Sequence, residues 1–150
     1  MQHYHKVEIY GIQSLKTSTA KNLRGNGLIH YRLIVHNKKL YLVLQKNDDG
    51  GHFSNEIVSY ERISECIEGL EEPVVSRVFR SAFDSKSTNN AGFLLAVLRH
   101  ESLLKTGDDG KHYIQPHWDK WEKTTLALKP EEVDLPYEFT DWSAKNAKAK

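Results

Sequence analysis

The chain has 150 residues, of which 39% are hydrophobic, 10% aromatic and 27% charged, enough apolar material for one ordinary domain and too much for a disordered chain. Its formal net charge of +1 hides a segregation: residues 1–47 hold eight Lys or Arg against Glu8 alone, whereas the remainder holds thirteen against nineteen acids. The longest apolar run, 93–98, is far below the roughly 20 residues of a membrane span, and the single cysteine, Cys66, excludes internal disulfides and thiolate zinc sites, so a chain without membrane contact in a reducing, cytoplasmic setting is expected.

Val7 and Ile9 alternate with polar neighbours and predict a strand over 4–12. Residues 13–27 are small, polar and basic and end in Gly25-Asn26-Gly27, which reads as a loop and a candidate mobile arm. Over 28–36, Ile29, Tyr31, Leu33 and Val35 alternate with His30, Arg32, Ile34 and His36; after a turn at 37–39 the run 40–45 alternates again, predicting an antiparallel hairpin. A turn at 47–51 and a strand at 53–59 complete an expected meander.

The period then changes. Ile63, Cys66, Ile67 and Leu70 mark one face of a helix over 60–69, and Pro73 is placed to open an amphipathic helix over 74–83. Residues 85–89 carry capping chemistry, and 91–105 reads as a central buried helix. A turn at 106–110, a strand at 112–115 and a helix at 117–128 follow; 133–142 alternates as an extended aromatic segment. The expected fold is α+β: an antiparallel meander of about four strands packed against about three helices, with an aromatic C-terminal segment, forming one domain over 1–144 and a frayed basic tail over 145–150.

The basic front half is the first functional candidate. Lys16, Lys21 and Arg24 in the expected loop, His30, Arg32 and His36 on one strand face and Lys38 in the turn would present positive charge to phosphates, the dominant affinity term for nucleic acid. A solvated sheet face is the competing reading. Helix-turn-helix, zinc-finger and RNP patterns are missing, so sequence-specific readout is not expected.

A second candidate joins His112, His117 and Asp119 to an acidic turn and His52 as the metal site of a small hydrolase or nuclease, since imidazole and carboxylate together suit zinc, manganese or iron. Surface turns are the alternative, and His100-Glu101 lacks the second histidine of a His-Glu-x-x-His motif. Cys66 falls on the apolar stripe of its helix, where a thiol is a small hydrophobe rather than a nucleophile. Ser85-Lys86-Ser87-Thr88 lacks the glycines of a phosphate loop and reads as a modest anion site or a plain helix cap. Trp118, Trp121 and Trp142 offer either a protein-binding or self-association surface, a homo-oligomer included, or a layer that closes the core.

No motif identifies a function; the residues together favour a non-enzymatic intracellular binding or accessory protein acting through its sheet face, basic arm or aromatic tail, with nucleic-acid contact through the basic half as one form of it. The metal-dependent hydrolase and the self-associating module are the alternatives. No cofactor is expected.

Overall fold

The structure, a computed structural model, describes residues 6–8, 12–49, 56–84, 89–132 and 138–140, with backbone alone at 6–8, 132 and 138–140. In chain order the elements are β1 (Lys6–Glu8), β2 (Gln13–Lys21), β3 (Leu28–His36), β4 (Lys39–Asn47), β5 (Ile57–Ser59), α1 (Tyr60–Ile67), a 3-10 helix (Ser76–Ala82), α2 (Asn89–His100), β6 (Leu104–Thr106), β7 (His112–Ile114), α3 (Trp118–Leu126), β8 (Glu131–Glu132) and β9 (Glu138–Thr140). The expected α+β architecture is present. Strands β2 to β5 form an antiparallel meander, and β8 joins its β2 edge to give the order β5-β4-β3-β2-β8. Two small pairs, β1 with β9 and β6 with β7, stand apart from it.

The cleanest alternation in the sequence builds the centre of the sheet. Ile29, Tyr31 and Leu33 on β3 and Leu40, Leu42 and Leu44 on β4 point to one side and are buried there with Phe79, Leu94 and Leu95 of the covering helices. Asn37 and Lys38 turn the hairpin at φ 50° and 64°, the left-handed pair whose twist matches that of the flanking strands. In α1, the Ser59 side chain accepts from the Arg62 amide at 3.1 Å, while Tyr60 and Ile63 enter the core.

Four expectations change. The loop expected at 13–27 is a strand as far as Lys21, and its Leu15 and Ala20 reach the core five residues apart because a bulge between Ser14 and Lys16 resets the alternation. The helix expected at 74–83 is a 3-10 helix that starts at Ser76: Val74 stays extended, donating to the His112 carbonyl at 2.8 Å, and Pro73 follows a cis peptide bond. With three residues per turn, Phe79 and Ala82 align on the buried side while Val75 is left 47% exposed. The central helix expected to reach 105 stops at His100, and 104–106 is strand β6. Finally, the sheet face opposite the helices is not bare, since Ile12, Ile34, Val43 and Ile57 form a second buried cluster there.

The strands expected over 4–12, 53–59 and 112–115 are described as Lys6–Glu8, Ile57–Ser59 and His112–Ile114, and the helix expected at 117–128 is Trp118–Leu126. Of the aromatic segment, the described part is β9, which pairs antiparallel with β1. The tail at 145–150 lies outside the described residues.

The end of α2 positions a charged group that the sheet depends on. Ser102 adopts φ 64°, its amide donating to Arg99 O at 3.0 Å and that of Leu103 to Leu98 O at 2.9 Å, the paired bonds of a Schellman cap. This turn holds Glu101 over the sheet, where its carboxylate accepts from Lys16 Nζ at 2.9 Å, from the Tyr31 hydroxyl and from Trp121 Nε1 at 3.4 Å. Ser102 is exposed, and its left-handed backbone is strained for a residue with a Cβ. Ser102→Gly should raise the unfolding free energy by about 1 kcal/mol, read as a higher denaturant midpoint; an unchanged or lower midpoint would contradict the strain.

Burial, aided by Glu101, pushes the Tyr31 phenol well above its ordinary value, and burial followed by the charge of Glu122 does the same for Tyr60. Because the unfolded chain releases these protons above about pH 10 and the native state keeps them, their contribution is complete below that pH and is lost as pH rises through the folded values. An alkaline titration followed by tyrosinate absorbance should show both phenols ionising only as the protein unfolds. Ionisation of both at the ordinary value in a still-folded protein would refute the placement.

Candidate functional site

At the far end of β2 the ladder closes into a turn: the Asn22 amide donates to Gly27 O at 3.1 Å, and Gly25 sits at φ 81°. The Asn47–Asp49 turn lies against it, held by the Asp48 amide on Leu28 O at 3.0 Å. The Asp49 carboxylate then accepts from the Asn22 side-chain amide at 3.1 Å and from the Gly27 amide at 3.0 Å. A Cβ on Gly27 would overlap that carboxylate. Two turns are thus locked together through one acid, and Arg24 is presented from their rim, exposed.

Between this turn, the 3-10 helix and the first turns of α2 lies a cavity of about 340 Å³. Arg24 and Arg80 both line it, together with the polar residues Asn22, Ser76 and Asn89 and the apolar residues Leu23 and Phe93. Among the described residues no carboxylate belongs to the lining. Among the described residues neither guanidinium has a hydrogen bond or an ion pair.

Further along, α2 lies against β2 through a polar seam. Arg99 Nη2 donates to Lys21 O at 3.0 Å, Ser18 Oγ and His100 Nε2 are 3.4 Å apart, and Lys16 meets Glu101 at the other end. β8 pairs with Gln13 and Ser14 alone, so among the described residues no strand pairs with Lys16–Lys21 on that side of β2. No protein family, curated protein or solved structure matches the chain. What the site can do is read from its own groups. Guanidinium pairs free of acids bind oxyanions, because each presents a planar fork of donors.

The front-half candidates do not share one surface. Lys16 is on the helix-covered side, its ammonium held by Glu101. His30 Nε2 lies 2.9 Å from Asp48 Oδ1, and that hydrogen bond holds the Asp48 carboxyl below the usual carboxylate range. Arg32 and His36 are half-buried on the opposite sheet face, and each already interacts with a neighbouring group. Lys38 turns the hairpin at the other end of β3, roughly 25–30 Å from the 22–27 turn at about 3.3 Å per residue. Lys21 and Arg24 remain together, joined by Arg80 and Arg99 from the acidic half of the chain. Nothing local in the sequence marks Arg80 as a partner of Arg24; only the packing of the 3-10 helix brings it there.

The remaining candidates disperse. His112 Nδ1 is 3.1 Å from Thr106 Oγ1, and burial, with a smaller effect of Arg99, lowers its affinity for a proton. His117 stands at the N-cap of α3 without a side-chain capping bond, and Asp119 is exposed in the first turn. Among the described residues no group of three or more His, Cys, Asp or Glu is placed to hold a metal ion; His52 and residues 85–88 lie outside them. Trp118 is 9% exposed, its indole donating to Leu103 O at 3.0 Å, and Trp121 is half-buried, with Tyr60 against both rings at 5.8 and 5.1 Å. Both tryptophans therefore close the core, and Trp142 lies outside the described residues. Cys66 is half-buried beside Ser81, and burial pushes its thiol up.

Because Arg24 owes its place to the turn locked by Asp49, Gly27→Ala should displace that carboxylate and loosen the turn. Amide hydrogen exchange at residues 22–27 should accelerate by at least tenfold, about 1.4 kcal/mol of local stability, with the core amides of β3 unchanged. Unaltered exchange in the turn would show that the lock is not there.

Proposed function

We propose that this chain is a nucleic-acid-binding accessory protein that holds the phosphates of a single strand at the Arg24–Arg80 cavity and along the adjoining β2–α2 seam. One observation carries the reading: two exposed arginines from separate elements line one cavity, and no acid is among the described residues of its lining. Attraction of cations to phosphate is independent of sequence and releases counterions, which suits a chain without a base-reading motif. Lys21 lies exposed beside the cavity, so three cations are available where one strand can pass. The absence of a membrane-crossing helix among the described residues and the single, shielded thiol of Cys66 suit a reducing, cytoplasmic setting.

Fluorescence anisotropy with a labelled single-stranded oligonucleotide tests this directly. With three phosphate contacts, log K should fall with log salt at a slope of about −2. Lys21→Ala, Arg24→Ala and Arg80→Ala should each weaken binding and flatten the slope by about 0.7, while Lys38→Ala, at the other end of the sheet, leaves both unchanged. No binding at low salt, or binding indifferent to salt, would end the proposal.

A further inference from the structure

The Arg24–Arg80 cavity has a lining and a volume that favour one class of ligand. Its volume of about 340 Å³ is more than a bare phosphate fills and leaves room for an attached sugar. Two arginines bring two positive charges and two planar donor forks to the lining of one cavity. A phosphodiester inside a strand carries one negative charge and must leave the site in two directions. A phosphomonoester carries close to two at neutral pH, has three free acceptor oxygens, and continues in one direction only. Ser76 adds a neutral hydroxyl, while Leu23 and Phe93 offer an apolar wall to the attached sugar or base.

Gly92 supplies a second observation. It lies inside α2, where glycine is unfavourable, and lines the cavity, yet a Cβ built on it meets nothing within 4 Å. Among the described residues packing does not require glycine there, and a side chain at that position would enter open space bordering the cavity.

We infer that the cavity is a binding site for a phosphomonoester, met either as a free mononucleotide or as the phosphorylated end of a nucleic-acid strand. In its macromolecular form the inference rests on the nucleic-acid reading above; the mononucleotide form stands without it. Arg24 and Arg80 clamp the dianion, and the sugar occupies the space left open beside Gly92.

The test compares four probes by equilibrium binding: a mononucleotide, a 5′-phosphorylated oligonucleotide, its 3′-phosphorylated counterpart and the same strand with hydroxyl ends. Wild-type protein should bind at least one phosphorylated strand about tenfold more tightly than the hydroxyl-ended one, and the mononucleotide should compete for that advantage. Arg24→Ala/Arg80→Ala should abolish the preference, the Lys pair Arg24→Lys/Arg80→Lys should restore part of it, and Lys21→Ala should weaken all strands alike. Gly92→Leu should fill the cavity and remove the preference with a melting temperature equal to or above wild type, which separates blockage from unfolding. Equal affinity for all three strands without mononucleotide binding overturns the phosphomonoester site, and the wider nucleic-acid reading survives if those strands still bind in a salt-dependent way. Mononucleotide binding that needs both arginines, with no strand bound, supports the site and overturns the wider reading instead.

Discussion

The Glu101 carboxylate, whose side chain is 7% exposed, receives Lys16 from β2, the Tyr31 hydroxyl from β3 and the Trp121 indole from α3. A carboxylate so withdrawn from water is tolerated only when donors replace its hydration shell, and here one of them also carries the compensating charge. The Schellman end of α2 places the group, so the helix cannot slide or rotate on the sheet without stranding it. With that end fixed, α2 runs along β2 toward the 22–27 turn, and Gly92 and Phe93 arrive beside Arg24. The cavity at one end of the helix is therefore a consequence of the charge anchored at the other.

Strands β3 and β4 and helix α1 are legible in the sequence because each is half-buried, and a half-buried element must repeat its apolar residues at its own period. β2 is not, since an edge strand carries polar residues on both faces: Thr17 and Thr19 face away from the helices, Lys16 and Ser18 meet the polar C-terminal end of α2, and the bulge breaks what alternation remains. The end of α2 is hidden by Ser102, which fills a left-handed position that a sequence reading assigns to glycine. The valines at 74, 75 and 78 mimic an α-helical stripe, although Val74 belongs to a bridge with His112 and Val75 faces solvent.

The candidate site was legible by half. Segregated charge points to Arg24, and the same signal points to Arg32, His36 and Lys38, which the meander sends to another face or another end. A strand pair separates neighbours in sequence onto two faces and turns onto two ends, so a basic segment does not become a basic surface. The cation that completes the site comes instead from the acidic part of the chain, on a 3-10 helix whose buried Phe79 and Ala82 fix which way Arg80 can face.

The margin of β2 over Lys16–Lys21, unpaired among the described residues, has a bearing on how copies of this protein meet. Since Asn22 bonds across to Gly27, the neighbouring pair of Lys21 and Leu28 turns its backbone groups outward, and Leu28 O indeed goes to the Asp48 amide. Lys21 O on the opposite flank is claimed by the Arg99 guanidinium. A foreign strand that tried to lengthen the sheet would find its last acceptor taken and two cations, Lys21 and Arg99, crowding the approach. The Arg99 guanidinium thus guards this margin against edge-to-edge pairing with another polypeptide.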